Sequence, residues 1–393
     1  MSYNNLQNQA RSAVITRLRR EGSIREPAGL EIRLARDLGF CQGVERAVTQ
    51  ALHAAHDLTS HTGPDEPRLY MMGEIIHNPS TNQRLIDAGV EILPPPDDPD
   101  RLAGIRPIDW VIVPAFGSTA SDEEALRSIG CRLIDTTCGW VRRVWKAVSD
   151  YARDGLTTVI HGKVEHEETR ATASRIAGPY VIVRNREEAG LLADAVGRRS
   201  LDEPRAERLG APAVWPDWFA RVFVGRCSPG FDPERDLESL GLVNQTTMLS
   251  SETEAVAAIL EEAIVRRSGG PFRTLDTFCP ATQKRQDAVR HLLEEGSLDL
   301  MIVVGGFRSS NTAHLAALGA RRVASYHIED ASCLMSTREL RHLPPGASEP
   351  VVIRDWMPTP PCTVGLTAGA STPEAEIDRT ILRLQALFRG DVP

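Results

Sequence analysis

The sequence predicts an α/β protein of three related α/β domains, and three observations carry that expectation. Short apolar, strand-like runs alternate along the chain with amphipathic, helix-like runs, the pattern of βα units. Two stretches nearly repeat one another: "RLIDTTC", ending at Cys138, and "RTLDTFC", ending at Cys279. Each is followed by a run bearing Lys and Arg that reaches Ala-Val nine and ten residues later (Ala147-Val148 and Ala288-Val289). Cys41 follows a related plan: an apolar strand, Gly-Phe, the cysteine, then a helix carrying Arg46. Each cysteine is therefore expected at the carboxyl end of a strand, where open α/β sheets place their ligand crevices. Three domains that each give one cysteine to a shared central pocket would account for the repetition.

The elements follow in order. "EIRLARDLGF" reads as a strand leading to Cys41, and "VERAVTQALHAAHDL" as a helix. "LYMMGEII" is strand-like and stops at His77-Asn78-Pro79. "DWVIVPAFG" and "CRLIDTTC" are strands running into loops. "VRRVWKAVSDYARDG" is amphipathic and ends in Gly155, a helix stop. "TTVIHG" is a strand entering the loop "HGKVEHEET", and "GPYVIV" is another strand. "SETEAVAAILEEAIVRR" is a helix opened by Ser251 with an acidic first turn. "LDLMIVVGG" is the most apolar strand and runs into "FRSSNTAHLAALG", a loop and then a helix. "TVGLTAGAS" is a late strand and loop, and "TPEAEIDRTILRLQALF" a terminal helix. The expected boundaries are an N-terminal extension at 1–29, flexible or docked on the surface, and domains at 30–138, 139–270 and 271–393. Residues 196–235 and 336–360 read as insertions.

Composition bounds the partners. The chain has 393 residues, 41% hydrophobic and 25% charged, enough for several buried cores. Net charge is −8 with no long basic block, which argues against nucleic acid as a partner. No run of eighteen apolar residues occurs, so no membrane span is expected. Residues 1–28 lack the apolar core of a secretory signal and match a transit peptide poorly. Seven cysteines, an odd count in a large chain with no CxxC pair, suit a reducing compartment. The cytoplasm is the expected location, with the plastid stroma as the lesser alternative.

Three converging thiolates suit an iron–sulfur cluster or a soft metal such as zinc. A fourth position left open would make such a site catalytic. A lone cysteine is most often a small buried hydrophobe, and the matched flanks are what set Cys138 and Cys279 apart. Other strand ends carry polar loops. "EIIHN" holds His77, and "HGKVEHEET" holds His161, Lys163, His166 and Glu168. "NQTTMLS" holds Thr246, "GGFRSSNT" holds Ser309, Ser310 and Asn311, and "TAGAST" holds Ser371. Hydroxyls, amides and histidines beside helix N-termini form a cradle for phosphate. Taken singly, each has a plainer reading as an N-cap, a turn or a structural histidine. Neither a P-loop nor a dinucleotide fingerprint is present.

Together the motifs "GFCQGVERAV", "EIIHNP", "DTTCGWVRRVW", "HGKVEHEETRATAS", "NQTTMLSSETE", "CPATQKRQDAV", "VVGGFRSSNTAHL" and "TAGASTP" resemble the LytB/IspH family of diphosphate reductases. The resemblance runs from about residue 30 to about 388. It implies three α/β domains around a central pocket holding a [4Fe-4S] cluster. The implied ligands are Cys41, Cys138 and Cys279, with the fourth iron open to substrate. It implies Glu168 as general acid and Thr246 beside the substrate hydroxyl. His77, His166, Ser309, Ser310, Asn311 and Ser371 are the implied diphosphate contacts. The implied reaction is reductive dehydroxylation of 4-hydroxy-3-methylbut-2-enyl diphosphate to isopentenyl and dimethylallyl diphosphate, the last step of the non-mevalonate route. Ferredoxin or flavodoxin is the implied electron donor. Two positions depart from the commoner bacterial pattern: Phe116 stands for a histidine and Ala313 for an asparagine. "PAFG" looks like the plant and cyanobacterial branch, and His161 or Lys163 is the expected source of the lost donor or charge. The rivals are a non-redox iron–sulfur lyase, which needs no external electrons, and a metal-binding sensor without turnover.

Overall fold

The computed structural model describes residues 13–27, 29–58, 66–267, 269–275 and 277–391. It divides into two compact units: Met1–Thr59, Glu74–Val90 and Pro280–Pro393 in one, Ser60–Gly73 and Glu91–Cys279 in the other. The class is α/β with parallel sheets, as the alternation of runs predicts.

The first unit is built on a five-stranded sheet. Its strands lie in the order Ser23–Arg25, Leu30–Leu34, Cys362–Ala368, Leu300–Val304 and Ala324–Ile328. Only the first pair is antiparallel. Leu300–Val304 is buried at every position because helices cover both its faces. Side chains alternate across a strand. Leu300, Ile302 and Val304 therefore join one core with Ile377, Ile381 and Leu384 of the helix Glu374–Arg389. Met301 and Val303 face the other way, onto Val289 of the helix Pro280–Glu294 and Leu315 of the helix Ser310–Gly319.

The second unit carries two four-stranded sheets. In one, Leu69–Met71, Trp110–Val113 and Arg132–Asp135 run parallel. The other is parallel throughout, in the order Phe272–Thr274, Leu240–Asn244, Thr157–His161 and Tyr180–Val183. The segment 196–235 forms three short helices. From it Trp218, Phe219 and Phe223 are buried against Val181 and Leu191 in one apolar cluster. The segment 336–360 contains an antiparallel pair, Glu339–His342 with Val351–Arg354. No described helix is long and apolar enough to cross a membrane.

Four expectations differ from the structure. Residues 30–58 do not go with the segment up to 138. Leu30–Leu34 pairs in parallel with Cys362–Leu366, so segments near the two chain ends complete one sheet. Phe272–Thr274, grouped by sequence with the third domain, instead edges the sheet of the second unit. "LYMMGEII" is a strand only at Leu69–Met71, and Glu74–Asn78 is a loop. The extension is not merely surface chain where it is described. Residues 1–12 lie outside the described residues, but Ala13–Glu21 is a helix and Ser23–Arg25 a sheet strand. Ile15, Leu18 and Ile24 are buried in the core of the first unit. The apolar face is interleaved with arginines, which disguise it in sequence. Leu18→Ala should lower stability by about 2–5 kcal/mol, the usual cost of emptying a buried leucine site. A fall in the urea midpoint at unchanged slope is the expected reading, and an unchanged midpoint contradicts the packing.

Candidate active site

The three flank-matched cysteines follow strands of three different sheets, and each stands at the start of a helix. Cys41 follows Leu30–Leu34 and precedes Gln42–Leu58. Its carbonyl accepts from the Glu45 amide (2.9 Å), the first helical bond. Cys138 follows Arg132–Asp135 and is the N-cap of Gly139–Arg153. Its own N–H is tied to the Ala115 carbonyl (3.0 Å). Cys279 follows Phe272–Thr274 and precedes Pro280, the first residue of Pro280–Glu294. Proline is well suited to that first helical position. Two residues before Cys279, the Thr277 hydroxyl donates to Asn244 Oδ1.

A helix N-terminus presents unpaired N–H groups and a positive dipole end, which favour a thiolate. Cys41, Cys138 and Cys279 are half-buried, as is Cys227. Burial pushes the thiols of Cys131, Cys227 and Cys362 up, to about 12 for Cys227 and about 11 for Cys362. Cys333 is fully buried. Thiolate is the donor that iron–sulfur clusters take.

In the second unit Glu168 is the central titratable group. It lies in the first turn of the helix Glu167–Ala173, whose N-cap is His166. His166 Nδ1 accepts from the Glu168 N–H (3.1 Å), which leaves the ring proton on Nε2. The Thr246 N–H donates to one Glu168 oxygen (2.6 Å) and the Thr246 hydroxyl to the other (2.9 Å). Those bonds favour the charged carboxylate. Burial disfavours it and is the larger effect, lifting Glu168 to about 7. Gln245 organises this corner. Its side-chain oxygen accepts from the Lys163 N–H (3.1 Å), and its amide donates to Thr247 (2.6 Å).

In the first unit, the strand Leu300–Val304 ends in the loop Gly305–Ser309, and Ser309 caps the helix Ser310–Gly319. Gly305 has φ +155°, and a Cβ there would fall 2.5 Å from Thr312 Oγ1, so only glycine fits. His327 Nε2 donates to the Gly305 carbonyl (2.8 Å), and burial lowers this histidine to about 4, so it is neutral. No sequence signal marked His327, because "ASYHI" reads simply as strand. Asn311 Oδ1 accepts from the Ala370 N–H (3.0 Å), which fastens the Ser371 loop to the helix start. Ser310 Oγ and Asn311 Nδ2 are buried without a hydrogen-bond partner among the described residues. Buried donors at a helix N-terminus suit an anion. His77 is buried, with Nδ1 2.9 Å from a Glu74 oxygen.

Residues 32–385 match the family described as LytB protein. The chain belongs to the LytB family. The 4-hydroxy-3-methylbut-2-enyl diphosphate reductase of Thermosynechococcus vestitus is 39% identical over 391 residues, covering 97% of this chain and 91% of that protein. The reductase of the same name from Synechococcus sp. (strain CC9311) is 40% identical over 388 residues, covering 97% and 92%. A solved structure of (E)-4-hydroxy-3-methyl-but-2-enyl diphosphate reductase, described as the terminal enzyme of the non-mevalonate pathway, matches with a TM-score of 0.51. It is 27% identical and covers 90% of this chain and 98% of its own. The Plasmodium falciparum E-1-hydroxy-2-methyl-but-2-enyl-4-diphosphate reductase matches with a TM-score of 0.61 at 20% identity, a likeness of fold, over 89% and 86%.

Phe116 meets His166 edge to face, with ring centroids 5.7 Å apart. His161 Nδ1 pairs with Thr253 Oγ1 (2.7 Å) in the fully buried interior. Lys163 is half-buried, and burial pulls its pKa down.

The thiol environments make a testable distinction. In metal-free protein at neutral pH, iodoacetamide should label Cys41, Cys138 and Cys279 before the other four, as read by peptide mass spectrometry. Early labelling of Cys131, Cys227, Cys333 or Cys362 would contradict the assignment.

Proposed function

We propose that the protein is a 4-hydroxy-3-methylbut-2-enyl diphosphate reductase acting through a [4Fe-4S] cluster. Cys41, Cys138 and Cys279 are the proposed ligands, with the fourth iron open to substrate. The observation that carries the mechanism is Glu168: a fully buried carboxyl, held near neutrality and aligned on Thr246. The overall change adds two electrons and two protons to an allylic alcohol and releases water. The bound cluster supplies the electrons and Lewis acidity that side chains lack.

The chain's own residues do the rest. Hydroxide is a poor leaving group, so the departing oxygen needs a proton. Glu168 is poised to give one, because a general acid works best with a pKa near the working pH. Once Glu168 is protonated, the Thr246 hydroxyl can turn to accept that proton and pass its own onward. Ser309, Ser310, Asn311, Ser371, His77 and His166 bind the diphosphate in this reading, and Lys163 supplies the charge absent with Phe116. His161 Nδ1 pairs with Thr253 Oγ1, which fixes the ring beside this loop. Binding energy from the remote diphosphate then holds the hydroxymethyl end in place. Reduced ferredoxin or flavodoxin is the proposed electron source, and the cytoplasm the proposed compartment.

The test is anaerobic purification followed by substrate and a chemical reductant. Five-carbon diphosphate products are expected. Cluster-bearing protein that makes none contradicts the reading. Glu168→Gln should keep cluster and substrate binding and lose about 10²–10⁴-fold in kcat, the range for a removed general acid. Near-normal turnover would remove Glu168 from that role. In the wild type, kcat should fall as pH rises through about 7. The raised pKa also gives a stability effect. The folded protein holds the Glu168 proton more tightly than the unfolded chain, so this contribution is present below about 4.5 and lost as pH rises through about 7. Glu168→Gln should therefore gain stability over wild type above pH 7 and not below 4.5, as denaturant midpoints would report.

A further inference from the structure

Within the first unit, the loop Glu74–Asn78 packs against the loop Gly305–Ser309. A Cβ on Gly306 would fall 2.4 Å from the His77 carbonyl oxygen, so the two backbones touch. One side chain spans both loops. Glu74 places one carboxylate oxygen 2.9 Å from His77 Nδ1 and the other 3.6 Å from Arg308 Nη1. Arg308 immediately precedes Ser309, the cap of the anion-facing helix. The Glu74–Asn78 loop is itself braced: Asn82 accepts from the Ile75 N–H (3.1 Å) and donates to the Ile76 carbonyl (3.0 Å).

We propose that Glu74 is a positioning residue of the diphosphate site, fixing the ring and charge of His77. This rests on the reading that His77 and Ser309–Asn311 bind diphosphate. A carboxylate only accepts, so the proton at His77 Nδ1 points to Glu74. That bond sets the ring orientation and directs Nε2 away from Glu74. A carboxylate partner also favours the imidazolium, in which Nε2 carries a proton as well. An anion reaching Nε2 then meets a charge-assisted donor. The two arms of Glu74 differ in weight. His77 is 4% exposed, whereas Arg308 is 65% exposed and its ion pair is screened by water. The effect of Glu74 on the anion therefore runs through His77.

The experiment uses anaerobically reconstituted enzyme, with inorganic pyrophosphate as binding probe and the diphosphate as substrate. Glu74→Gln should raise the pyrophosphate Kd and the substrate KM about tenfold, the scale of one charge-assisted hydrogen bond. Saturated kcat should stay within about threefold, because Glu74 acts on anchoring rather than on the bond that breaks. Glu74→Asp should recover part of the loss at unchanged iron content and unfolding midpoint. In a His77→Gln background, Glu74→Gln should add little, whereas in an Arg308→Gln background it should keep its full effect. Unchanged Kd and KM in Glu74→Gln, or an undiminished effect without His77, would overturn the proposal. If Glu74→Gln does not fold, Glu74→Asp carries the test in the same direction with a smaller change. Wild-type protein that binds pyrophosphate but reduces nothing would sink the reductase reading, while a weakened Kd in Glu74→Gln would still uphold this role. Wild-type protein that binds no pyrophosphate would overturn both.

Discussion

The structure depends on one constraint: in a parallel sheet, each strand must hand the chain to a crossover helix before the next strand can pair. The carboxyl ends of strands therefore sit beside helix N-termini, and both carry backbone groups that need partners. The candidate residues occupy these junctions. Cys138, His166 and Ser309 are N-caps, and Cys41 and Cys279 each stand one residue before a helix. Thr246 follows the strand Leu240–Asn244. A junction of this kind favours negative groups, which is what thiolates and a diphosphate have in common.

Burial at such a junction decides whether a carboxyl there keeps its proton. Cys41, Cys138 and Cys279 stand at such junctions and are half-buried. Glu168 also sits in a first turn and accepts two hydrogen bonds from Thr246, yet complete burial is the larger effect. The result is a carboxyl that can hold a proton near neutrality beside groups suited to holding charge. His327 shows the limit of this behaviour: deep burial keeps it neutral, where it serves as a plain donor to the Gly305 carbonyl.

Much of this was legible in the chain. The strand and helix runs are local patterns, and the runs ending at Cys138 and Cys279 could be matched by eye. Glu168 and Thr246 were legible as polar residues at strand ends, and the LytB resemblance gave them roles. Strand pairing was not legible. Leu30–Leu34 is as apolar as any neighbour, and nothing local says that its partner lies at Cys362–Leu366. The N-terminal helix was hidden because Ile15 and Leu18 share it with the exposed, charged Arg17 and Arg20. The partner of His161 was not legible either, because a strand-end side chain can point to either face, and its Nδ1 meets Thr253. The sequence reading also passed over Glu74, since a glutamate three residues before a histidine becomes a partner only when the loop folds back.

The central proposal is that the thiols of Cys41, Cys138 and Cys279 hold the cluster. The most direct measurement is iron content and EPR of seven anaerobically reconstituted Cys→Ser variants, one per cysteine. The account predicts that the variants at Cys41, Cys138 and Cys279 each fail to retain an intact cluster, while those at Cys131, Cys227, Cys333 and Cys362 keep the wild-type signal. An unchanged cluster without Cys138, or a cluster lost without Cys227, would contradict it.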